Sequence, residues 1–337
     1  MKYGIFNKPI VTIYENDTCL KQCELGEISA ISDEGLYGNT CKILAGPGGL
    51  DNAGNPMQDG MVQIVTSYGY YGFTHESGIT FASEAKLRSW LHGKFALVSR
   101  AADVLSIPDV KGVPLVHLVR GNLVELMPER ALESQNTTLP LRVVGWRRVR
   151  LLDERVGYIR ETSLKEKMFT RSAVFYIDGN RTINQAVGMA RGIEASQVVE
   201  DVIQKYYGGN QDLLREKVVE TALTYLGTEY RWGGKTPDGI DCSGLVSASY
   251  MQNGILIYRD ACIREGWPVK EIDRAALKPG DLMYFPGHVA MYIGQGRYVH
   301  STGAANSGGV VINSLLPNDA LYRQDLFDSL TACGSVF

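Results

Sequence analysis

One cysteine and two histidines are the residues of this chain best placed for covalent chemistry. Cys242 follows a glycine-rich loop at 232–239 and begins an apolar run that predicts a helix. A cysteine in the first turn of a helix faces unpaired backbone N–H groups and the positive end of the helix dipole, and both favour the thiolate. His288 and His300 follow in two strand-like segments. A cysteine, a histidine and a second polar group that orients the histidine form the outline of a cysteine hydrolase.

The two histidines are expected on one face of a β-hairpin. Residues 288–293 and 297–301 alternate as strands do, and a glycine-rich turn at 294–296 separates them. If the turn is centred on Gln295, residue 290 lies opposite residue 300, and both imidazole rings point to the same face. A slip of one residue would place the rings on opposite faces.

Helical periodicity predicts two helices before Cys242. Residues 196–207 have a serine N-cap, apolar positions at 199, 202, 203 and 206, and a Gly-Gly end. Residues 211–226 place Leu214, Val218, Ala222 and Leu226 on one face, and Gly227 is expected to end the helix.

The N-terminal half contains a diverged internal repeat. Residues 37–44, 60–65 and 72–77 resemble residues 120–127, 145–150 and 157–162, with offsets of 83 and 85 residues. Each unit consists of short alternating strands separated by Gly, Pro and Asn turns, which is typical of a small β-barrel. The pattern resembles the bacterial SH3-type domains that accompany catalytic domains in cell-wall enzymes. Two unrelated β modules are the alternative.

Bulk composition limits the classes of partner. With 337 residues and a net charge of −3, the chain is long enough for two or three domains. The charge favours neither nucleic acid nor an anionic membrane surface as a partner. No apolar run is long enough to span a bilayer. Because the N-terminus lacks a secretory pattern, we expect a cytoplasmic protein, or a secreted one if a leader has been removed.

The six cysteines form no CxxC pair and no regular framework. This spacing is typical of reduced thiols in a reducing compartment. We interpret Cys19 and Cys23 as ordinary small side chains, because no third or fourth ligand lies nearby at zinc-like spacing. We expect no metal and no cofactor, since a thiolate–imidazole pair is sufficient for the chemistry.

Five short blocks within residues 211–303 resemble the NlpC/p60 cysteine peptidases, which are papain-like enzymes that cut γ-D-glutamyl bonds in peptidoglycan peptides. The blocks lie, in the order usual for that family, at 230–234, 241–245, 278–282, 287–294 and 299–301.

The resemblance implies a role for each matching residue. Cys242 would be the nucleophile, His288 the base, and His300 the group that holds the His288 ring. The Tyr230 hydroxyl and the Cys242 backbone N–H would lie near the developing oxyanion. Asp241 and Ser243 match residues that line the site.

The segment Tyr258-Arg259-Asp260-Ala261 resembles the Arg-Asp-Ser segment of the family members that also carry SH3-type domains. In those enzymes the aspartate binds the free α-amine of an N-terminal L-alanine. A carboxylate accepts an ammonium group but offers nothing to an amine already blocked by an amide. Ala261 replaces the serine here, and Asp260 could instead form a salt bridge with Arg259 or Arg264.

The first SH3-type domain helps to wall the amine pocket in these relatives. Glu76 and Tyr71 are the residues of this chain that we expect to contribute from that side.

The predicted fold is therefore multidomain. Two small SH3-like β-barrels, at 1–92 and 93–165, precede a helical connector at 166–209 and an α+β papain-like NlpC/p60 catalytic domain at 210–337.

The predicted activity is that of a γ-D-glutamyl-L-diamino acid endopeptidase. It would act on murein peptides with a free N-terminal L-alanine, in cell-wall peptide recycling. The third substrate residue is left open between lysine and diaminopimelate, and so is the oligomeric state. One alternative is a secreted hydrolase of the intact wall. Another is a wall-binding module with an inactive peptidase domain, which the complete Cys-His-His set disfavours. The same thiolate site also serves acyl-transfer or amidase chemistry on other substrates.

Overall fold

The computed structural model describes residues 3–16, 30–51, 54–128, 143–168, 195–304 and 307–337. The chain forms two compact units. The first contains Met1–Lys21, Gly35–Thr66 and Gly72–Lys167, and the second contains Gln22–Glu34, Ser67–Tyr71 and Met168–Phe337. Two short segments of the N-terminal half therefore belong to the unit that carries Cys242. Cys19, Cys23 and much of the predicted connector lie outside the described residues.

Strands β1–β7 form a seven-stranded sheet in the order β3-β2-β6-β5-β4-β1-β7. Buried and partly exposed residues alternate along β2, so that Val11 and Ile13 point into a core with Phe6, Val62 and Ile64. The strands are Tyr3–Phe6, Ile10–Tyr14, Ile31–Leu36, Thr40–Ala45, Met61–Thr66, Tyr71–His75 and Ile79–Ala82. Helix α1, Glu84–His92, follows.

A second seven-stranded sheet repeats this topology. Its order is β10-β9-β13-β12-β11-β8-β14, so that each strand takes the place of the strand numbered seven lower in the first sheet. Gly38 and Gly121, which correspond in the repeat, both have positive φ, at 80° and 94°. The strands are Phe95–Val98, Ala102–Leu105, Pro114–Leu118, Leu123–Leu126, Trp146–Arg150, Val156–Arg160 and Leu164–Glu166.

The N-terminal region is thus mostly β, and the internal repeat in the sequence corresponds to two sheets with the same strand order. The closure of each sheet into an SH3-like barrel stays a prediction, as do the four domain limits. The compact units divide the chain at other positions, because residues 30–34 and 67–71 group with the C-terminal part.

The second unit is α+β. Its main sheet is antiparallel, with the strand order β17-β22-β18-β19-β20-β21. These strands are Lys270–Ile272 (β17), Leu282–Phe285 (β18), His288–Gly294 (β19), Arg297–Thr302 (β20), Gly309–Ser314 (β21) and Ala332–Ser335 (β22). A short ribbon, Lys235–Thr236 (β15) and Gly239–Ile240 (β16), precedes the cysteine. The helices are Ala195–Tyr207 (α2), Gln211–Leu223 (α3), Cys242–Gln252 (α4) and Gln324–Ser329 (α5). In the described part of the chain, no helix is long and apolar enough to cross a membrane.

The helices pack on this sheet through the residues that periodicity selected. Val202, Leu214 and Leu245, one from each of α2, α3 and α4, are buried in one core. The predicted end of α3 is wrong by three residues. The helix ends at Leu223, the chain then turns, and Leu226 is 46% exposed instead of lying on the apolar face.

Candidate active site

Cys242 is the first residue of α4, and Asp241 caps that helix. The Asp241 carboxylate accepts the Gly244 N–H at 2.5 Å and the Gly233 N–H at 2.9 Å. It thereby joins the glycine-rich loop to the start of the helix. A Cβ at Gly244 would lie 2.1 Å from the Gly234 carbonyl oxygen, so this first turn requires glycine.

The ionisation of Cys242 differs from the simple helix-dipole expectation. Burial raises the pKa of the thiol, and the Asp241 carboxylate raises it further. The backbone N–H groups of Val289 and Ser243 act in the opposite direction, as expected at a helix N-terminus, but burial outweighs them. The resting group is therefore a neutral thiol, which needs a neighbouring base to take its proton.

The hairpin of β19 and β20 has the predicted register. Met291 pairs with Val299, which sets residue 290 opposite residue 300. The turn is tight, with φ of 95°, 55° and 71° at Gly294, Gln295 and Gly296. His288 and His300 consequently lie on the same face, and His288 Nε2 is 2.8 Å from His300 Nδ1.

Both imidazoles are neutral at pH 7. Burial lowers the pKa of His288 to about 4, with His300 and Arg323 contributing. Burial also lowers the pKa of His300 to about 4. The Val289 N–H bond to Cys242 places the sulfur beside the start of β19. His288 is the residue before Val289, and its neutral imidazole could take the proton of the neutral thiol as the sulfur attacks.

Tyr230 and Ser243 lie beside the cysteine. Burial raises the pKa of Tyr230, and Cys242 and Asp241 are the next largest causes, so the phenol is close to both groups. The Ser243 hydroxyl donates to Asp241 Oδ1 at 3.2 Å and accepts from Arg259 Nη1 at 2.7 Å. Ser243 thus holds the capping carboxylate in place.

Arg259 connects the helix cap to a buried carboxylate from the N-terminal half. Its guanidinium donates to both oxygens of Asp241, at 3.1 and 3.0 Å, and to Asp33 Oδ1 at 2.7 Å. Asp33 also pairs with Lys235 at 2.9 Å, and the Tyr68 hydroxyl bonds both of these groups. The four charged residues of this cluster, Asp33, Asp241, Lys235 and Arg259, are at most 6% exposed.

Charges within this cluster balance each other. Burial alone would raise the pKa of Asp33, but Lys235 and Arg259 outweigh burial, and the pKa is lowered. Sequence reasoning missed Asp33, Lys235 and Tyr68. Nothing in the sequence distinguishes these residues from solvated surface charges, because their partners lie far away along the chain.

Asp260 follows Arg259 and has different partners. Tyr70 and Tyr258 hydrogen-bond its carboxylate through their hydroxyl groups. The two arginines considered as salt-bridge partners are engaged elsewhere: Arg259 binds Asp33 and Asp241, and Arg264 donates to the Tyr258 hydroxyl at 3.1 Å.

Sequence analysis named Tyr71 and missed its neighbour Tyr70. Tyr71 is 50% exposed. Glu76 is an exposed residue of the first unit, at the start of a single 3₁₀ turn, Glu76–Gly78. The substrate-binding roles of Tyr71 and Glu76 stay predictions, as do the roles assigned to the other site residues. Within the described ranges, no cluster of three or more His, Cys, Asp or Glu side chains could hold a metal ion.

Comparison with known proteins identifies the family. The model of the NlpC/P60 family matches residues 227–324. A dipeptidyl-peptidase 6 from Lysinibacillus sphaericus is 33% identical over 306 residues, which are 90% of this chain and 92% of that protein. A gamma-D-glutamyl-L-lysine dipeptidyl-peptidase from Bacillus cereus is 35% identical over 104 residues, 28% of this chain and 31% of that one.

A solved structure shares the fold. The crystal structure of an NlpC/P60 family protein from Bacillus cereus superposes with a TM-score of 0.63 at 17% identity and covers 98% of both chains. This chain belongs to the NlpC/P60 family of peptidases.

Proposed function

We propose that this chain is a cysteine peptidase that hydrolyses the γ-D-glutamyl-L-diamino acid bond of murein peptides with a free N-terminal L-alanine. The observation that carries the proposal is the placement of Cys242 against the histidine hairpin: the thiol accepts the N–H of Val289, the residue after His288, and His288 Nε2 lies 2.8 Å from His300 Nδ1. The second support is Asp260, a carboxylate that follows Arg259, the arginine bound to Asp241 next to the nucleophile.

In the proposed reaction, Cys242 Sγ attacks the γ-carbonyl carbon of the D-glutamyl residue. The thiol proton passes to the neutral His288 ring as the carbon–sulfur bond forms. The carbonyl oxygen becomes an oxyanion, and the Cys242 backbone N–H and the Tyr230 hydroxyl donate to it. The tetrahedral intermediate then collapses, the C–N bond breaks, and His288 returns the proton to the leaving amine of the diamino acid.

The resulting thioester is hydrolysed by the reverse sequence of proton transfers. His288 takes a proton from water while the water oxygen attacks the thioester carbon. Collapse releases the glutamyl γ-carboxylate and restores the thiol. His300 keeps its hydrogen bond to His288 throughout, so that the ring keeps its orientation in both half-reactions.

The position of Asp260 suggests how many substrate residues lie on the N-terminal side of the cleaved bond. If the ammonium of the N-terminal L-alanine pairs with Asp260, the second residue of the substrate extends toward Cys242, and the product is a dipeptide. Tyr70 and Tyr258 hold the carboxylate for that contact. The names of two relatives, both dipeptidyl-peptidases, support release of a dipeptide.

The test is mass spectrometry of L-alanyl-γ-D-glutamyl-L-lysine and its diaminopimelate counterpart after incubation with the protein. We expect release of L-alanyl-D-glutamate. Cys242→Ala should abolish release, whereas Cys41→Ala, which removes another buried thiol, should leave it unchanged. Cleavage by Cys242→Ala at the wild-type rate would refute the mechanism.

The role of Asp260 needs its own measurement. We expect no turnover of a substrate whose N-terminal amine is acetylated, and a raised KM with little change in kcat for Asp260→Asn. Asp238→Asn, an exposed aspartate in the preceding loop, is the matched control. Equal rates on free and acetylated peptides would remove Asp260 from the proposal.

Peptide recycling is the physiological part of the proposal. We expect rapid cleavage of short freed peptides. We expect no release of peptide from intact sacculi, because stem peptides in the wall have their L-alanine amine blocked. Solubilisation of sacculi would favour a hydrolase of the intact wall instead.

A further inference from the structure

The polar chain behind the candidate nucleophile continues beyond His300 to Asn313. His300 Nε2 lies 2.8 Å from Asn313 Oδ1, and Asn313 Nδ2 donates to the Leu321 carbonyl at 3.0 Å. Asn313 lies on β21, whose residue Val311 pairs with His300. The sequence motifs do not include this residue.

The amide of Asn313 has one acceptable orientation. The Leu321 carbonyl oxygen can only accept, so the amide nitrogen must face it, and the amide oxygen must face His300. The Leu321 carbonyl is itself held in position, since it also accepts the Ser314 N–H at 2.9 Å. The Leu321 N–H donates to Asp319 at 3.0 Å.

This orientation determines where the protons of both imidazoles sit. An amide oxygen only accepts, so His300 Nε2 carries the hydrogen and His300 Nδ1 is left with a lone pair. That lone pair accepts from His288 Nε2, 2.8 Å away, so His288 Nε2 carries the hydrogen as well. His288 Nδ1 is then the unprotonated nitrogen, which is free to act as a base.

We propose that Asn313 is a positioning residue that fixes the tautomers of His300 and His288, and thereby makes His288 Nδ1 the base for Cys242. This inference takes from the proposed function that Cys242 is the nucleophile, whereas the tautomers follow from the hydrogen bonds alone. Asn313 acts through His300 and contacts neither the sulfur nor the substrate. Its hydrogen bond raises the pKa of His300, but burial lowers that pKa more, so Asn313 orients the ring while the ring stays neutral.

The test combines ¹⁵N NMR of the imidazole nitrogens with the pH profile of kcat/KM. In the wild-type protein, both His288 and His300 are expected as the Nε2–H tautomer. Asn313→Leu removes the acceptor, and we expect mixed tautomers and a fall of about 10- to 100-fold in kcat/KM, the effect of one buried donor left without a partner. Asn318→Leu, an exposed asparagine of the following loop, is the matched control and should change neither readout.

Asn313→Asp provides a variant that keeps an acceptor at this place. The new carboxylate favours the imidazolium form of His300, so the acid limb of the profile should move to higher pH by about one unit or more. The other titratable or charged groups that face His300 are His288, Tyr298, Arg323 and Asp325, and they are unchanged in this variant. A residue with a purely structural role would alter stability without moving this limb.

Two results would overturn the proposal. One is an Nδ1–H tautomer of His288 in the wild-type protein. The other is unchanged imidazole signals in Asn313→Leu together with a loss of less than about threefold in kcat/KM. Because the NMR measurement needs no substrate, it remains decisive even if the proposed murein peptide is not cleaved.

Discussion

His300 makes the stability of the second unit sensitive to mild acid. The residue is 0% exposed, and burial lowers its pKa from the ordinary 6.5 to about 4. Because the folded-state pKa is the lower one, the unfolded chain binds the proton first. The contribution of the neutral His300 ring to the free energy of unfolding is complete above about pH 6.5 and is lost as the pH falls toward 4. These two pKa values correspond to a loss of about 2 kcal/mol in the free energy of unfolding between pH 7 and pH 5.

The measurement compares the wild-type protein with His300→Gln, which cannot titrate in this range. Hydrogen exchange of the backbone amides of β19 and β20, followed by mass spectrometry, reports the opening free energy of this sheet separately from the first unit. At pH 7 we expect the opening free energy to be higher in the wild type than in His300→Gln. This difference should be smaller by about 2 kcal/mol at pH 5. His117→Gln is the control, since His117 belongs to the first unit and lies outside the sheet whose exchange is measured.

A difference between wild type and His300→Gln that stays constant from pH 7 to pH 5 would refute this reasoning. It would mean that His300 binds its proton equally well in the folded and unfolded states, and that the ring is better solvated than its burial indicates.

Three further predictions concern stability and are checked by urea unfolding. Asp33→Asn leaves Arg259 and Lys235 without their shared buried anion and should lower the free energy of unfolding by about 3–5 kcal/mol. Adding Lys235→Met to this variant should recover part of that loss. A loss below about 1 kcal/mol for Asp33→Asn would contradict the network. Gly296→Ala should cost about 1–2 kcal/mol, because φ there is 71°; an unchanged midpoint would show that the turn relaxes. Asn210→Ala removes the side chain that accepts the Leu213 N–H at 3.1 Å and should cost about 1 kcal/mol, unless water replaces the cap.

Local patterns predicted the elements that position the site. Alternation and a glycine-rich turn were enough for the hairpin register, because a strand pair joined by a tight turn has few ways to align. The apolar spacing of α2 and α3 predicted their buried faces, because residues three or four apart in a helix lie on the same face. The end of α3 was less predictable, since the apolar Leu226 continues the period after the chain has begun to turn.

The N-terminal repeat was also predictable, because corresponding turns need glycine at corresponding places, such as Gly38 and Gly121. What the repeat did not predict is that residues 30–34 and 67–71, from the region of the first sheet, group with the unit that contains Cys242. One pairing within that group is Asp33 with Arg259, and Asp33 has no recognisable sequence signal.

By itself, the sequence determined where the proposed catalytic side chains lie: Cys242, His288 and His300 stand at places set by a helix start and a hairpin, and both are short-range features. Only the tertiary structure decided their charge states and their further partners. A pKa depends on how much solvent is removed and on which groups from distant segments approach. For that reason the neutral thiol, the Asp33 cluster, the Tyr70–Asp260 contact and the Asn313 bond emerged only once the chain was folded.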